Sequence, residues 1–164
     1  MPTITSRVPP LIDYLVTLFQ GSAALGQAMP PVTVLDGPAT TELDPPLALW
    51  VGLPDPDNPA AETAADFTQA WAAIGRLGRD EIITIHCCAQ AWSGTDDVKT
   101  VRLAVTGITS AVETLMQADT TQFGGNVLFP APGFASGSLT QNNTDRGAIA
   151  RIPFDLTFRS RIGG

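Results

Sequence analysis

Three side chains with the chemistry of a catalytic or metal site stand next to each other in this sequence. His86, Cys87 and Cys88 are the only histidine and the only two cysteines of the chain. A thiol activated by an imidazole is a common enzymatic nucleophile, and both residue types bind zinc. The elements that position these side chains decide whether they can act together.

The surrounding stretch, EIITIHCCAQAWSG, predicts a β-strand. Successive side chains of a strand point to opposite faces, so His86 and Cys88 share one face and Cys87 lies on the other. A zinc site needs about four ligands, usually with CxxC-like spacing, and no second cluster completes one. We therefore expect buried structural thiols and a half-buried histidine, with no catalytic, cofactor-binding or metal-binding residue.

Other enzyme signatures are absent from the sequence, which has no Walker loop, GxGxxG, GxSxG or HExxH motif. The carboxylates are densest in a stretch that predicts an exposed loop, at Asp44, Asp55, Asp57 and Glu62. A solvated surface explains such a cluster better than an acid/base pair. A small cytosolic enzyme is the alternative from a different functional class, and it requires a concave pocket with convergent polar groups.

The composition fits one domain over residues 1–164, since 44% of the residues are apolar and can form a core. The net charge of −7 disfavours specific binding to nucleic acid or to an anionic membrane. The apolar run 11–19 is too short to span a bilayer, and its flanks lack the features of a signal peptide. We expect a cytosolic protein whose partners are proteins.

Periodicity and turn residues predict a helix that begins at Pro9-Pro10 and ends at Gly21, strands over 32–35, 47–53 and 148–162, a long hairpin of 67–73 with 81–92, and a helix over 96–118 capped by Asp96. The loops 52–66 and 122–147 are expected to be mobile, with only 127–129 and 138–141 extended in the second. The predicted fold class is α+β: an antiparallel or mixed β-sheet with two α-helices packed on one face.

The final strand alternates apolar and polar residues, and its polar face carries three of the nine cationic residues of the chain, Arg151, Arg159 and Arg161. Pro153 cannot donate a ladder hydrogen bond, which predicts an edge strand or a bulge. Carboxylates of a neighbouring subunit, such as Asp80 or Glu81, could pair with these arginines. The candidate subunit interface is therefore Asp80, Glu81, Arg151, Asp155, Arg159 and Arg161. A solvated outer face explains the same arginines equally well.

Two segments carry a resemblance to a known family. Residues 67–119, FTQAWAAIGRLGRDEIITIHCCAQAWSGTDDVKTVRLAVTGITSAVETLMQAD, and 141–162, QNNTDRGAIARIPFDLTFRSRI, resemble the tail terminator proteins of long-tailed, siphovirus-like bacteriophages, especially those of actinobacterial hosts. The resemblance covers roughly the last hundred residues. It consists of a long hairpin, a helix and a charged final strand.

The resemblance implies a structural virion protein that forms a homo-hexameric ring at the neck, on top of the tail. Such a ring caps the tail tube, ends its polymerisation and joins the tail to the head-side connector or head-closure protein. It implies no cofactor and no specific DNA binding, the DNA passing through the lumen, and it places the subunit in the host cytoplasm during assembly. Another neck or minor tail protein, for head closure or tail completion, is the alternative within the same particle.

Overall fold

The structure is a computed structural model, and it describes residues 5–39, 45–58, 63–71, 77–128 and 134–163. Its elements are α1 (Val8–Gly21), β1 (Thr33–Asp36), β2 (Leu47–Val51), β3 (Ala65–Trp71), β4 (Arg79–Ser93), α2 (Val98–Ala118), α3 (Gln122–Gly125), β5 (Phe134–Gly137), β6 (Thr140–Thr144) and β7 (Gly147–Ile162).

The strands form one mixed seven-stranded sheet. Its two longest strands, β4 and β7, run antiparallel side by side, from Arg79 opposite Ile162 to Ser93 opposite Ala148. On the other edge of β4, first β3 and then β2 pair antiparallel, and β1 extends the sheet parallel to β2. β5 and β6 pair with the remaining edge of β7. The α+β class and the predicted antiparallel pairing of β3 with β4 are confirmed.

The two long helices lie on one face of this sheet and create a buried core. Alternate residues of β4, among them Ile83, Ile85 and Cys87, point to this helix-covered face and are fully buried. Leu156 and Phe158 lie opposite two of them on β7 and are buried with them. Each such aliphatic or aromatic side chain contributes about 1.5–3 kcal/mol on burial. The intervening residues of both strands form the other face, which we call the open face.

Helix α1 follows the predicted pattern. Prolines occupy its first turn, where a backbone N–H has no helical partner in any case. Leu11, Leu15 and Phe19 recur every four residues and are fully buried. The helix ends at Gly21, as the sequence predicted.

Helix α2 confirms its predicted apolar stripe, but its cap lies one residue later than expected. Asp97, and not Asp96, caps it, because its Oδ1 accepts from the N–H groups of Lys99 at 3.1 Å and Thr100 at 3.4 Å. The stripe residues Val101, Val105, Ile108 and Val112 are buried, and the helix contacts β4 and β7 of its own chain. The stripe is therefore part of the core of its own chain.

The sequence predicts that Pro153 marks an edge strand or a bulge. The edge strand is wrong, because β7 has neighbours on both sides, and the irregularity in pairing lies in β5, between Phe134 and Ser136. The carbonyl oxygen of Pro153 accepts from the N–H of Ser138, which lies between the end of β5 and the start of β6. Since the nitrogen and the carbonyl of one strand residue face the same side, the missing N–H of Pro153 falls at this gap. The interruption between β5 and β6 accommodates the proline in an interior strand.

The segment after α2 contains a short turn with an unusual backbone. All of residues 122–125 have positive φ angles, including 55° at Gln122 and 53° at Phe123. This conformation costs roughly 1–2 kcal/mol for each residue with a side chain. The carboxylate of Asp119 accepts from the N–H of Phe123 at 3.1 Å, and the Phe123 ring is buried edge-on against Tyr14 and Phe158. These contacts stabilise the turn.

The extended segment predicted at 127–129 is not found at its two described residues, and the one predicted at 138–141 is confirmed only at Thr140 and Gln141, where β6 begins. Val127 and Leu128 lie outside any strand, Phe129 lies outside the described residues, and the strands of this region are β5 and β6. All five residues of β6 are exposed. Their strand conformation is set by the backbone ladder to β7, so no apolar alternation could reveal it in the sequence.

Candidate interaction surface

Strand β4 separates the three residues whose chemistry first suggested a site. Cys87 lies in the main core, while Cys88 lies on the open face in a small cluster with Ala48, Trp50 and Leu53. Burial raises the pKa of each thiol from 9.0 to about 12. Both thiols are neutral at physiological pH, and the predicted division of the triplet between two faces is confirmed.

His86 is half-buried on the open face and lies between two carboxylates. Its Nδ1 is 2.5 Å from Oδ1 of Asp155, and its Nε2 is 2.8 Å from Oδ2 of Asp66. Ser136 Oγ donates to the second oxygen of Asp155 at 3.1 Å. A nucleophilic serine must bond to the imidazole rather than to the carboxylate, so this order does not form a catalytic triad. No group of three or more His, Cys, Asp or Glu residues among those described is arranged to hold a metal ion.

One half of the open face is covered by other parts of the chain, and we call it the covered half. Arg151 forms ion pairs with Asp57 through both terminal nitrogens, and its Nε donates to Gln90 Oε1 at 2.6 Å. The hydrogen bond from Arg151 holds the pKa of Asp57 below its usual value of 3.8. Asp57 thus has a structural partner, and of its predicted loop cluster Asp44 and Glu62 lie outside the described residues.

The other half, which we call the open half, contains Asp80, Ile82, Thr84 and His86 of β4 and Asp155, Thr157, Arg159 and Arg161 of β7. Each of these side chains is half-buried or exposed. Thr84 and Thr157 lie opposite each other, and their hydroxyl oxygens are 3.4 Å apart, a long hydrogen bond. The segment around Leu53 packs over the covered half, and no described segment packs over the open half in the same way.

Four of the six predicted interface residues lie on the open half, namely Asp80, Asp155, Arg159 and Arg161. Arg161 Nε donates to Asp80 Oδ1 of the same chain at 2.8 Å, and this bond lowers the pKa of Asp80. Arg159 is exposed, and its charge also contributes to lowering the pKa of Asp80. Arg151 belongs to the covered half. The predicted arginine face therefore exists, with part of its charge already neutralised within the chain.

Glu81 requires a correction, because its side chain is fully buried on the helix-covered side of the sheet. Its two carboxylate oxygens accept from Ser6 Oγ at 2.6 Å, from the N–H of Arg7 at 2.8 Å and from Gln69 Nε2 at 2.9 Å. The segment before α1 therefore closes over Glu81 and is anchored by it. This carboxylate has no free surface to offer to a neighbouring subunit.

Exposed apolar side chains at the same end of the sheet were not singled out by the sequence analysis. Phe67 is 53% exposed, Trp71 72%, Leu77 86% and Ile82 48%. Phe67 and Trp71 belong to β3, Leu77 precedes β4 and Ile82 lies in β4; no described strand pairs with the outer edge of β3. Phe67 lies opposite Ile83 and, like Trp71, points to the helix-covered side, whereas Ile82 points to the open face. The signal in the sequence was an aromatic-rich segment predicted as a hairpin arm. A concentration of this kind is typical of a surface that contacts a protein.

Two shallow grooves border the covered half. One, of about 350 Å³, is lined by Asp57, Arg151 and residues 140–144, and the other, of about 310 Å³, by Pro54, Pro153 and residues 136–138. Their polar groups are hydroxyls, amides, the Arg151–Asp57 ion pair and the carboxylate of Asp155, which accepts from Ser136 Oγ. Neither groove brings a nucleophile together with a base that activates it.

No protein-family model matches the chain, and no curated protein matches it in sequence. Within the residues that the structure describes, no helix combines the length and the apolar character that a bilayer crossing requires.

Proposed function

We propose that this chain is a structural subunit of a bacteriophage tail terminator that forms a closed homo-oligomeric ring. The resemblance to tail terminator proteins implies a ring of six copies. The ring caps the tail tube, ends its polymerisation and presents a surface to the head-side connector. The observation that carries the proposal is the open half, a charged sheet surface beside the unpaired edge of β3, whose exposed aromatic residues lie on the opposite face of the same edge.

A ring places particular demands on its subunit. Each copy must present two different surfaces, because the contact in a cyclic assembly joins one surface of a subunit to another surface of the next. The open half with Arg159 and Arg161 supplies one of them. The body of the chain is acidic, with 16 carboxylates against nine cations, and supplies partners for exposed arginines on a second copy.

The exposed edge of β3 supports the same proposal. An unpaired strand edge with apolar side chains favours aggregation unless it is covered. Phe67 and Trp71 are exposed beside that edge, and β3 contains neither proline nor lysine to block pairing. A neighbouring subunit or the tail tube would cover this edge in the assembled particle.

The acidic charge also suits a lumen through which DNA passes. A surface that lacks clusters of lysine and arginine does not neutralise phosphates and therefore does not hold the DNA. In this proposal the partners are other copies of the chain, the tail tube protein and the head-side connector. The subunit acts in the virion neck without a cofactor or an enzymatic reaction.

Negative-stain imaging of the purified protein tests the proposal. We expect rings with a central hole, and we expect fewer of them in the Arg159→Glu, Arg161→Glu double variant. Monomers or compact dimers without a hole at every concentration would contradict an intrinsic ring. Rings that bind a head-side connector but leave tail-tube polymerisation unchanged would favour the head-closure alternative.

A further inference from the structure

The hydrogen bonds of His86 indicate how many protons its imidazole ring carries. Both ring nitrogens lie within hydrogen-bond distance of a carboxylate oxygen. A neutral imidazole carries one N–H and can donate only once, whereas an imidazolium donates from both nitrogens. The observed geometry therefore fits the protonated ring.

The charged groups that face the ring favour the same state. Among the described residues these are Asp66 from β3 and Asp155 from β7, while β5 contributes only the uncharged Ser136. On β4 itself the neighbouring thiol of Cys88 is neutral, since burial raises its pKa to about 12. Burial alone lowers the pKa of His86, but the bonds to Asp66 and Asp155 outweigh it, so that the pKa is raised above 6.5.

The strand that depends most on this arrangement is β3. None of its seven residues is fully buried. Its backbone pairs with β4, and two of its side chains form hydrogen bonds to other segments. Asp66 bonds to His86, and Gln69 donates to Glu81 and to the carbonyl of Thr5. A segment with so little burial has low local stability, so a single ionic contact matters more here than in the core.

We propose that protonated His86 joins the edge strand β3 to the interior strand β7 across β4, through its contacts with Asp66 and Asp155. Deprotonation releases Asp66 and loosens β3. We call this pair of contacts the pH-sensitive staple. Asp66 is the partner released because its side chain is 73% exposed, whereas that of Asp155 is 31% exposed and bonded at the shorter distance. The last proton of the ring therefore stays on Nδ1.

The direction of the pH effect follows from the raised pKa of His86. A group whose pKa is higher in the folded chain contributes stability that is complete below its unfolded pKa of 6.5 and is lost as pH rises through the folded value. The staple is closed in mildly acidic solution and opens as the pH rises. Its opening frees the edge of β4 between residues 79 and 85, which β3 covers.

Proton NMR of the full-length protein tests this directly, since His86 is the only histidine. We expect its ring protons to titrate with a midpoint above 6.5 and the backbone amides of β3 to shift with the same midpoint. Amide hydrogen exchange in β3, corrected for its intrinsic pH dependence, should become several-fold faster across that midpoint. The amides of β1, an edge strand without an ionic staple, serve as the internal control.

The variant Asp66→Asn provides the second measurement, and because this side chain is largely exposed we expect the variant to fold. It should move the His86 midpoint down toward 6.5 and make exchange in β3 fast at every pH. A midpoint at or below 6.5 in the wild type would overturn the proposal. So would β3 amides whose shifts and exchange do not follow the titration of His86.

Discussion

The two faces of the sheet are built from the same two strands, yet they are completed in different ways. On the helix-covered face, β4 and β7 contribute apolar side chains that α1 and α2 bury entirely. On the open face, the same strands contribute threonines, charges and one histidine. Because both faces share the backbone of the same two strands, the difference between them comes from the alternation of side chains along each strand.

The open face is itself divided, and this division is more informative. Its covered half is closed by Leu53 and by the pairing of Arg151 with Asp57. Its open half has intrachain ion pairs but no covering segment among the described residues. A subunit that completes one half of a surface and leaves the other accessible is suited to an assembly partner on the accessible half.

The largest effect is expected on the helix-covered face, from Val105→Asp. Val105 is fully buried in α2, and an unpaired carboxylate there should cost more than about 3 kcal/mol and unfold the chain. Circular dichroism should show the loss of helix and strand together. The matched control is Ser110→Asp, an exposed position on the same helix, which should remain folded. A folded, monomeric Val105→Asp protein would show instead that α2 is an interface element.

A smaller effect is expected where the N-terminal segment closes over the sheet. Glu81→Ala removes the acceptor of three hydrogen bonds and leaves part-buried donors unpaired, which costs on the order of 1–3 kcal/mol. Urea denaturation measures this loss, and limited proteolysis should cut near Ser6 sooner. Asp80→Ala, at the adjacent half-buried position that pairs with the partly exposed Arg161, is the control and should change stability much less. If both variants lost the same free energy of unfolding, Glu81 would not anchor the segment before α1.

The covered half should respond least to the loss of its ion pair. Because the side chain of Asp57 is 71% exposed, Asp57→Asn should reduce stability by only about 0–1 kcal/mol. The pKa of Asp57 is lowered, so its contribution is present above the unfolded value of 3.8 and is lost as pH falls through the folded value. Melting temperatures of wild type and variant should therefore converge in acid. A difference that persists at low pH would point to a packing role.

Local periodicity was sufficient to predict the elements that form the core. The stripes of α1 and α2 and the alternation of β7 each report a buried face within one segment. The polar strand β6 carries no such pattern, and the choice between Asp96 and Asp97 as cap depends on local geometry that two adjacent aspartates do not reveal.

The contacts of the candidate surface depended on strand register, which the sequence did not determine. His86 meets Asp66 and Asp155 across separations of 20 and 69 residues. A shift of one residue in either pairing would place these carboxylates on the wrong face. Glu81 follows the alternation of its strand into the buried face, but nothing in the sequence shows that the N-terminal segment returns to cover it.

The central claim is that the open half is a contact surface between copies of this chain, and sedimentation velocity tests it most directly. The wild type should sediment as a closed ring. Arg159→Glu with Arg161→Glu should shift it to smaller species, most strongly at low salt, where charges are screened least. Arg102→Glu with Arg146→Glu makes the same change of charge at exposed positions elsewhere and should leave the ring intact. A wild type that is monomeric at every concentration, or a ring that both double variants retain equally, would contradict the account.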